Sequence, residues 1–236
     1  MSLFLLLLTV VALFLNTGSP EPQVGDISSE MDRFNSMVSD IKDLRAPNVV
    51  HGPLKTSVEY KKKTAIRLDS SLGGRTEMKA AADRNTFWFW CRSFDRSSVY
   101  YCDRSRINET RLKPAFHPCL AAAMFCVDEI EKSTVIDTPD GRRIATEEDG
   151  FNREIELHNG LIVRQQFRVG NKLVATMKVE EFQKHREFTL PSKIRITWHD
   201  EGISATISMG DIIINSGVVP DTSIPTELSR VNLENF

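Results

Sequence analysis

The stretch FNREIELHNGLIVRQQFRVGNKLVATMKVE, residues 151–180, alternates apolar and polar side chains through three consecutive runs. Phe151, Ile155 and Leu157 oppose Asn152, Glu154 and Glu156. Leu161, Val163, Phe167 and Val169 oppose Arg164, Gln166 and Arg168, and Leu173, Ala175, Met177 and Val179 oppose Lys172, Thr176 and Lys178. A period of two sends successive side chains to opposite faces of a strand. Asn159-Gly160 and Gly170-Asn171 fall between the runs, where a two-residue hairpin turn needs positive φ. The pattern predicts an antiparallel meander with one apolar and one wet face.

The cadence continues in both directions. Downstream, Ile194, Ile196 and Trp198 alternate with Lys193, Arg195 and Thr197. After the turn His199-Asp200-Glu201-Gly202 come Ile203, Ala205, Ile207 and Met209, then a short strand over 211–215. Upstream, Ile66 and Leu68 alternate with Arg67 and Asp69, Gly73-Gly74 turns the chain, and Thr76, Met78 and Ala80 alternate with Glu77 and Lys79. Thr86-Phe87-Trp88-Phe89-Trp90 is aromatic on both faces, so a one-residue register change would exchange them. Ser28-Ser29-Glu30 offers a helix N-cap, and Met31, Phe34, Met37, Val38, Ile41 and Leu44 recur at spacings of three and four, predicting an amphipathic helix that ends near Pro47. A second, unusually apolar helix is predicted over 114–130, including Met124 and Phe125.

These elements give a mainly β (α+β) chain of about nine to eleven antiparallel strands, with an N-terminal helix and a mid-chain helical insertion on one face. Twist of roughly −20 to −25° per neighbouring strand accumulates in so broad a sheet, which is expected to curl into an incomplete β-barrel whose concave face the helices cover.

Of the 236 residues, 41% are hydrophobic and 26% charged, which excludes disordered and low-complexity classes. Lys plus Arg number 30 against 32 Asp plus Glu, so no basic field for nucleic acid exists. Residues 3–15 are uncharged and apolar except for Thr9, and would form a helix of about 20 Å, short of a hydrocarbon core of about 30 Å. Followed by Asn16-Thr17-Gly18-Ser19, they read as a secretory signal over 1–19, or as a tethering anchor where uncleaved. A linker over 20–27, a half-barrel domain over 28–215 and a C-terminal tail over 216–236 complete the expected organisation. The chain is expected to be exported, or tethered where the segment over 1–19 is uncleaved.

The residues that carry chemistry are sparse. Cys91, Cys102, Cys119 and Cys126 show no C-x-x-C spacing, and in an exported chain a Cys91–Cys102 disulfide across a hairpin is the pairing to consider. The five histidines stand singly, mostly at turns and strand ends, and are read as surface residues without metal-ligand spacing. No G-x-S-x-G, P-loop or G-x-G-x-x-G occurs. The sequence therefore names no catalytic residue, metal or cofactor, and reads as non-enzymatic.

Ala82-Asp83-Arg84-Asn85-Thr86-Phe87-Trp88-Phe89-Trp90 looks like the turn and aromatic strand of bacterial periplasmic lipoprotein carriers and outer-membrane lipoprotein receptors, the LolA/LolB-like family. Lys61-Lys62-Lys63 before Thr64-Ala65-Ile66-Arg67-Leu68 is similar to the family's basic step into a strand, and the resemblance covers about 31–215. Carriers of this family place an Arg at that step, where it bonds a helical lid. Lys62 or Lys63 stands there instead and lacks the planar fork.

The resemblance implies a lipid- or lipoprotein-binding protein of the periplasm or cell envelope that shields acyl chains in an apolar cavity and moves lipoproteins toward the outer membrane, as a monomer serving membrane-bound loading and receiving proteins. Alternation and resemblance together assign the lining to Ile66, Leu68, Met78, Phe87, Phe89, Met124, Phe125, Val163, Phe167, Ile196 and Trp198, with the phenylalanines rather than the tryptophans facing inward, and the lid step to Lys62 and Lys63. The alternative function is an envelope interaction or stress-sensing module on the same scaffold, without lipid transport.

Overall fold

The computed structural model describes residues 26–110, 117–131, 133–138, 141–148 and 150–235. The expected signal or anchor over 1–19, most of the linker, and the start of the second helix at Pro114 lie outside them. Among the described residues no helix is long and apolar enough to cross a membrane.

Helix α1, Ile27–Val38, is capped by Asp26, whose side chain accepts from Ser28 N, and it buries Ile27, Phe34 and Val38. The predicted helix is thus too long at its C-terminal end. Ser39 and Asp40 turn the chain, and Leu44 belongs to strand β1, Asp43–His51. Pro47 sits in β1 where the pairing register shifts between Ala46 and Val49, because a residue without an N–H is tolerated at a bulge and not inside a helix. Ile41 and Leu44 are buried as expected, but from a turn and a strand.

The chain then builds β2 (Leu54–Lys61), β3 (Ala65–Leu72), β4 (Arg75–Ala82), β5 (Thr86–Cys91) and β6 (Ser98–Asp103). A 3₁₀ turn over Arg104–Glu109 and the short helix α2, Pro118–Ala123, make up the insertion. Eight further strands follow: β7 (Thr134–Thr138), β8 (Gly141–Glu148), β9 (Phe151–His158), β10 (Leu161–Val169), β11 (Lys172–His185), β12 (Phe188–Trp198), β13 (Ile203–Met209) and β14 (Ile213–Ile214). The last strand is β15, Ser229–Asn232.

The fifteen strands among the described residues form one sheet in the order β15-β6-β5-β4-β3-β2-β1-β13-β12-β11-β10-β9-β8-β7, with β14 also paired to β1. The sheet is open, with β15 and β7 as its edges. Among the described residues every pairing is antiparallel except that of β15, which runs parallel to β6. The described part of the stretch that the sequence set apart as a tail, 216–235, thus runs back along the sheet and supplies its outermost strand.

The second helix also departs from expectation. Among the described residues of that span only Pro118–Ala123 is helical, and Cys126, at φ 51°, turns left-handed and stops any continuation. The segment from Met124 to Ile130 is nevertheless buried at Met124, Phe125, Cys126, Val127 and Ile130. Its apolarity reflects burial on several sides and not a helical stripe.

Candidate functional site

The concave side of the sheet carries the main core. Register decides which residues reach it. Ile66 pairs with Ala82 and Leu68 with Ala80, while Phe87 and Phe89 pair with the same two alanines from the other side, so these small residues leave room for the rings. Phe87, Phe89 and Tyr100 form an aromatic ladder with centroids 6.0 and 5.2 Å apart. Trp88 pairs with Ala81 on the opposite face, where a separate cluster with Val99 is covered by Ile224 and Leu228. Trp88 Nε1 donates to Thr222 O at 2.8 Å, which fixes the C-terminal strap over it.

The inner face is covered by α1 and by the irregular segment over 117–131. Phe125, fully buried, stacks on Tyr60 at a centroid distance of 6.4 Å. Helix α1 lies against the β9–β10 hairpin. Asn159 and Gly160 there both have positive φ, and a Cβ at Gly160 would stand 2.6 Å from Arg33 Cδ. Glycine is therefore required twice over, by turn and by contact.

A polar latch holds the margin of this cover. Lys62 Nζ donates to Val38 O at the end of α1 and to Glu129 Oε1, both at 2.7 Å. Lys63 Nζ reaches Glu131 at 2.7 Å and Glu129 at 3.3 Å. Tyr60 Oη donates to the Asp128 carboxylate at 2.6 Å, and Asn35 exchanges two hydrogen bonds with the Ile130 backbone, at 2.8 and 3.2 Å. Burial works against the Glu129 charge, but the hydrogen bonds from Lys62, from its own backbone N–H and from Lys63, with the Lys62 charge, outweigh it and hold its pKa below the ordinary value. Burial likewise opposes the Lys63 charge, and Glu131 and Glu129 raise its pKa in spite of it. The lysines at the basic step thus tie together the two elements of the cover without a planar fork.

Of the expected lining, Ile66, Phe87, Phe89, Met124, Phe125, Phe167 and Ile196 come together in one buried cluster, and Leu68 and Trp198 pack against it half-buried. Met78 pairs with Ser70 and Cys91 and is half-exposed. Val163 is a correction. The register shifts between Ile162 and Arg164, so Ile162, Gln165 and Phe167 face inward, and Val163 instead lines a groove of about 450 Å³ with Glu156, Arg164, Thr176, Lys178 and Arg195 on the outer face. The Cys91–Cys102 disulfide is a second correction. Cys102 pairs with Phe87, four residues or about 13 Å along β5 from Cys91, well beyond the ~7 Å Cα separation a disulfide spans, and neither Cys91 nor Cys102 is disulfide-bonded.

Five contributors escaped the sequence reading. His117, expected at the surface, is buried, caps α2 by accepting from Cys119 N, and meets Phe151 edge-on at 4.6 Å. Asn35 and Tyr60 carry no motif. Arg153 and Gln165 were legible in principle, since the period of two places position 153 inward between Phe151 and Ile155.

An open antiparallel sheet, concave and apolar on one side and closed there by a short helix and a latched loop, defines a LolA-like half-barrel fold. Three solved structures carry that conclusion. An outer membrane lipoprotein-sorting protein domain from Vibrio parahaemolyticus superposes with a TM-score of 0.52 at 9% identity, covering 82% of this chain and 92% of its own. A DUF1329 family protein from Desulfovibrio piger gives 0.50 at 10% identity, covering 82% and 95%. A LolA superfamily protein from Nitrosomonas europaea gives 0.50 at 10% identity, covering 82% and 94%. No family model and no curated protein sequence matches the chain.

Proposed function

We propose that the protein is a non-enzymatic binder of lipids or lipoproteins of the cell envelope, in which the concave face receives acyl chains when the cover over 117–131 and α1 moves aside. The observation that carries this is the construction of the cover. A broad apolar sheet face is closed by two short elements held at their margin by side-chain contacts from Lys62, Lys63, Tyr60 and Asn35, and not by further sheet. Each acyl CH₂ removed from water is worth about 0.8 kcal/mol, so such a face can hold a chain with no directed chemistry. Met124 and Met177 supply adaptable surface within it. The outward-bound route, from loading to receiving proteins at two membranes, the periplasmic location and the monomeric state belong to the same proposal.

The test is native mass spectrometry of the protein from its own cells, followed by denaturing lipid extraction. A stoichiometric acyl ligand supports the reading. An empty protein that also fails to take up a fluorescent fatty acid overturns it. A second reading, an envelope interaction module, has its own observation: Phe34, Phe87, Phe125, Phe151 and Phe167 are all under 2% exposed, so the closed face is filled by its own side chains. Failure of the lipid test favours that module.

A further inference from the structure

The face of the sheet away from the cover has a hollow of its own. It is the groove of about 450 Å³ that Val163 lines, and its walls come from β9, β10, β11 and β12. Two shifts of pairing register frame it, one between Ile162 and Arg164 in β10 and one between Val179 and Glu181 in β11. A bulge bends its strand and re-aims the side chains beside it, so two of them in neighbouring strands open a concavity in an otherwise regular face.

Register places three cations side by side in that hollow. Arg164 pairs with Lys178, and Lys178 with Arg195, in one row across β10, β11 and β12. Neighbouring strands stand about 4.8 Å apart, and like charges directly opposite one another repel. Cations around the groove are matched by acids: Arg143 and Arg168 bond Glu154, at 3.2 and 2.9 Å, and Lys193 bonds Glu181 at 3.1 Å. Within the row, Arg195 Nε donates to Glu180 at 2.7 Å. Arg164 and Lys178 have no hydrogen-bond or ion-pair partner among the described residues. Glu156 stands opposite Arg164 in register and lines the groove, but makes no ion pair with it. Thr176 and Thr197, paired with each other two residues along from the row, add hydroxyls to the wall.

This set of donors suits a phosphate group. A guanidinium fork meets two of its oxygens, an ammonium supplies a point charge, and hydroxyls donate to the remainder. An anion seated between Arg164 and Lys178 also relieves their mutual repulsion, which no side chain of the groove does. Lys178 and Arg195 are exposed and Arg164 is half-buried, so a ligand reaches the row with the cover closed. The volume falls in the range of about 300–1,000 Å³ usual for ligand pockets, with room for more than the phosphate itself.

We propose that Arg164, Lys178 and Arg195 form a phosphate-binding groove on the outer face, for a phosphate free in solution or carried by a lipid head group. It is separate from the inner face and stands whether or not that face holds acyl chains. Isothermal titration of the full chain at low ionic strength with inorganic phosphate and with acetate, beside sedimentation with vesicles of phosphatidylglycerol and of phosphatidylcholine, tests it. Lys178→Gln should weaken phosphate binding about tenfold, as expected for loss of one charge-assisted hydrogen bond. Lys184→Gln, at an exposed position six residues further along β11, should leave it unchanged. Should circular dichroism show Lys178→Gln unfolded, Arg164→Gln takes its place.

Phosphate heat that the groove variant loses and Lys184→Gln keeps supports the site with free phosphate as its ligand. A preference for phosphatidylglycerol over phosphatidylcholine with that same dependence, and no phosphate heat, supports it with the head group as the source. Absence of both, equal effects of the groove variant and Lys184→Gln, or acetate binding as tightly as phosphate overturns the site.

Discussion

Replacing Lys62 by methionine keeps the length of the side chain and removes its charge, and it separates the latch from the rest of the cover. In the wild type, Lys62 Nζ makes two contacts of 2.7 Å, to Val38 O and Glu129, from a side chain only 10% exposed. Charge-assisted hydrogen bonds contribute about 1.5–3 kcal/mol and exposed ion pairs about 0–1 kcal/mol. Glu129 is 25% exposed and keeps Lys63 at 3.3 Å, so the lower end of the first range applies. A loss of about 2 kcal/mol raises the opening equilibrium of the cover about 30-fold, at tenfold per 1.4 kcal/mol.

Three backbone amides report that equilibrium: Phe125 N bonds Ala122 O at 3.1 Å, Cys126 N bonds Ala123 O at 3.2 Å, and Ile130 N bonds Asn35 Oδ1 at 2.8 Å. Hydrogen exchange at all three should accelerate about 30-fold in Lys62→Met, with the β11–β12 ladder unchanged. If the closed form cannot bind, an acyl probe should also bind more tightly, because apparent affinity scales with the competent fraction. Unaltered exchange at the three amides in a folded variant would refute the reasoning, and would place the hold on the cover in its apolar underside.

Three further outcomes follow from the same contacts. Because the closed cover lowers the Glu129 pKa, its contribution is fully present above the ordinary value of 4.5 and is lost as pH falls below it, through the closed-state value. Exchange of the cover amides, corrected for intrinsic rates, should therefore rise in acid for the wild type and not for Glu129→Gln; equal acid responses would remove Glu129 from the latch. Burial, the dominant cause, pushes the Cys126 thiol up to about 12 and Cys102 up to about 11, whereas Cys91 is half-exposed, so an alkylating reagent should label Cys91 first and the others only after denaturation. A peptide map showing Cys91 linked to Cys102 would contradict the observed strand register. Truncation after Gly217 should uncover Trp88 and the β6 edge, raising acrylamide quenching and self-association; unchanged quenching would mean that Thr222, Ile224 and Leu228 do not shield the indole.

The lining was partly legible for a simple reason. Where pairing is regular, as from Ile194 to Trp198, alternation alone gives the face, and Ile196 and Trp198 lie inward as the pattern requires. Where the ladder carries an extra residue the pattern inverts without a sign in the composition, and Val163 is the example. The aromatic strand could not be oriented from its own residues, since both faces are aromatic. Small partners stand on both faces, Ala80 and Ala82 opposite the phenylalanines and Ala81 opposite Trp88, and the distant segments that cover each face decide it. The expected disulfide failed because proximity in sequence across a hairpin says nothing of register.

By itself the sequence determined the antiparallel meander, the apolar face and the presence of a cover, because alternation, turn residues and helix caps act over neighbours that the chain already holds together. It also singled out the basic step at Lys62 and Lys63. Only the tertiary structure decided what that step grips. Val38, Glu129 and Glu131 are 24, 67 and 68 residues away from their lysines along the chain. The same holds for the C-terminal strand beside β6 and for Gln165 bonded to Ala123, since contacts between distant segments are set by the curvature and register of the whole sheet, which no local pattern encodes.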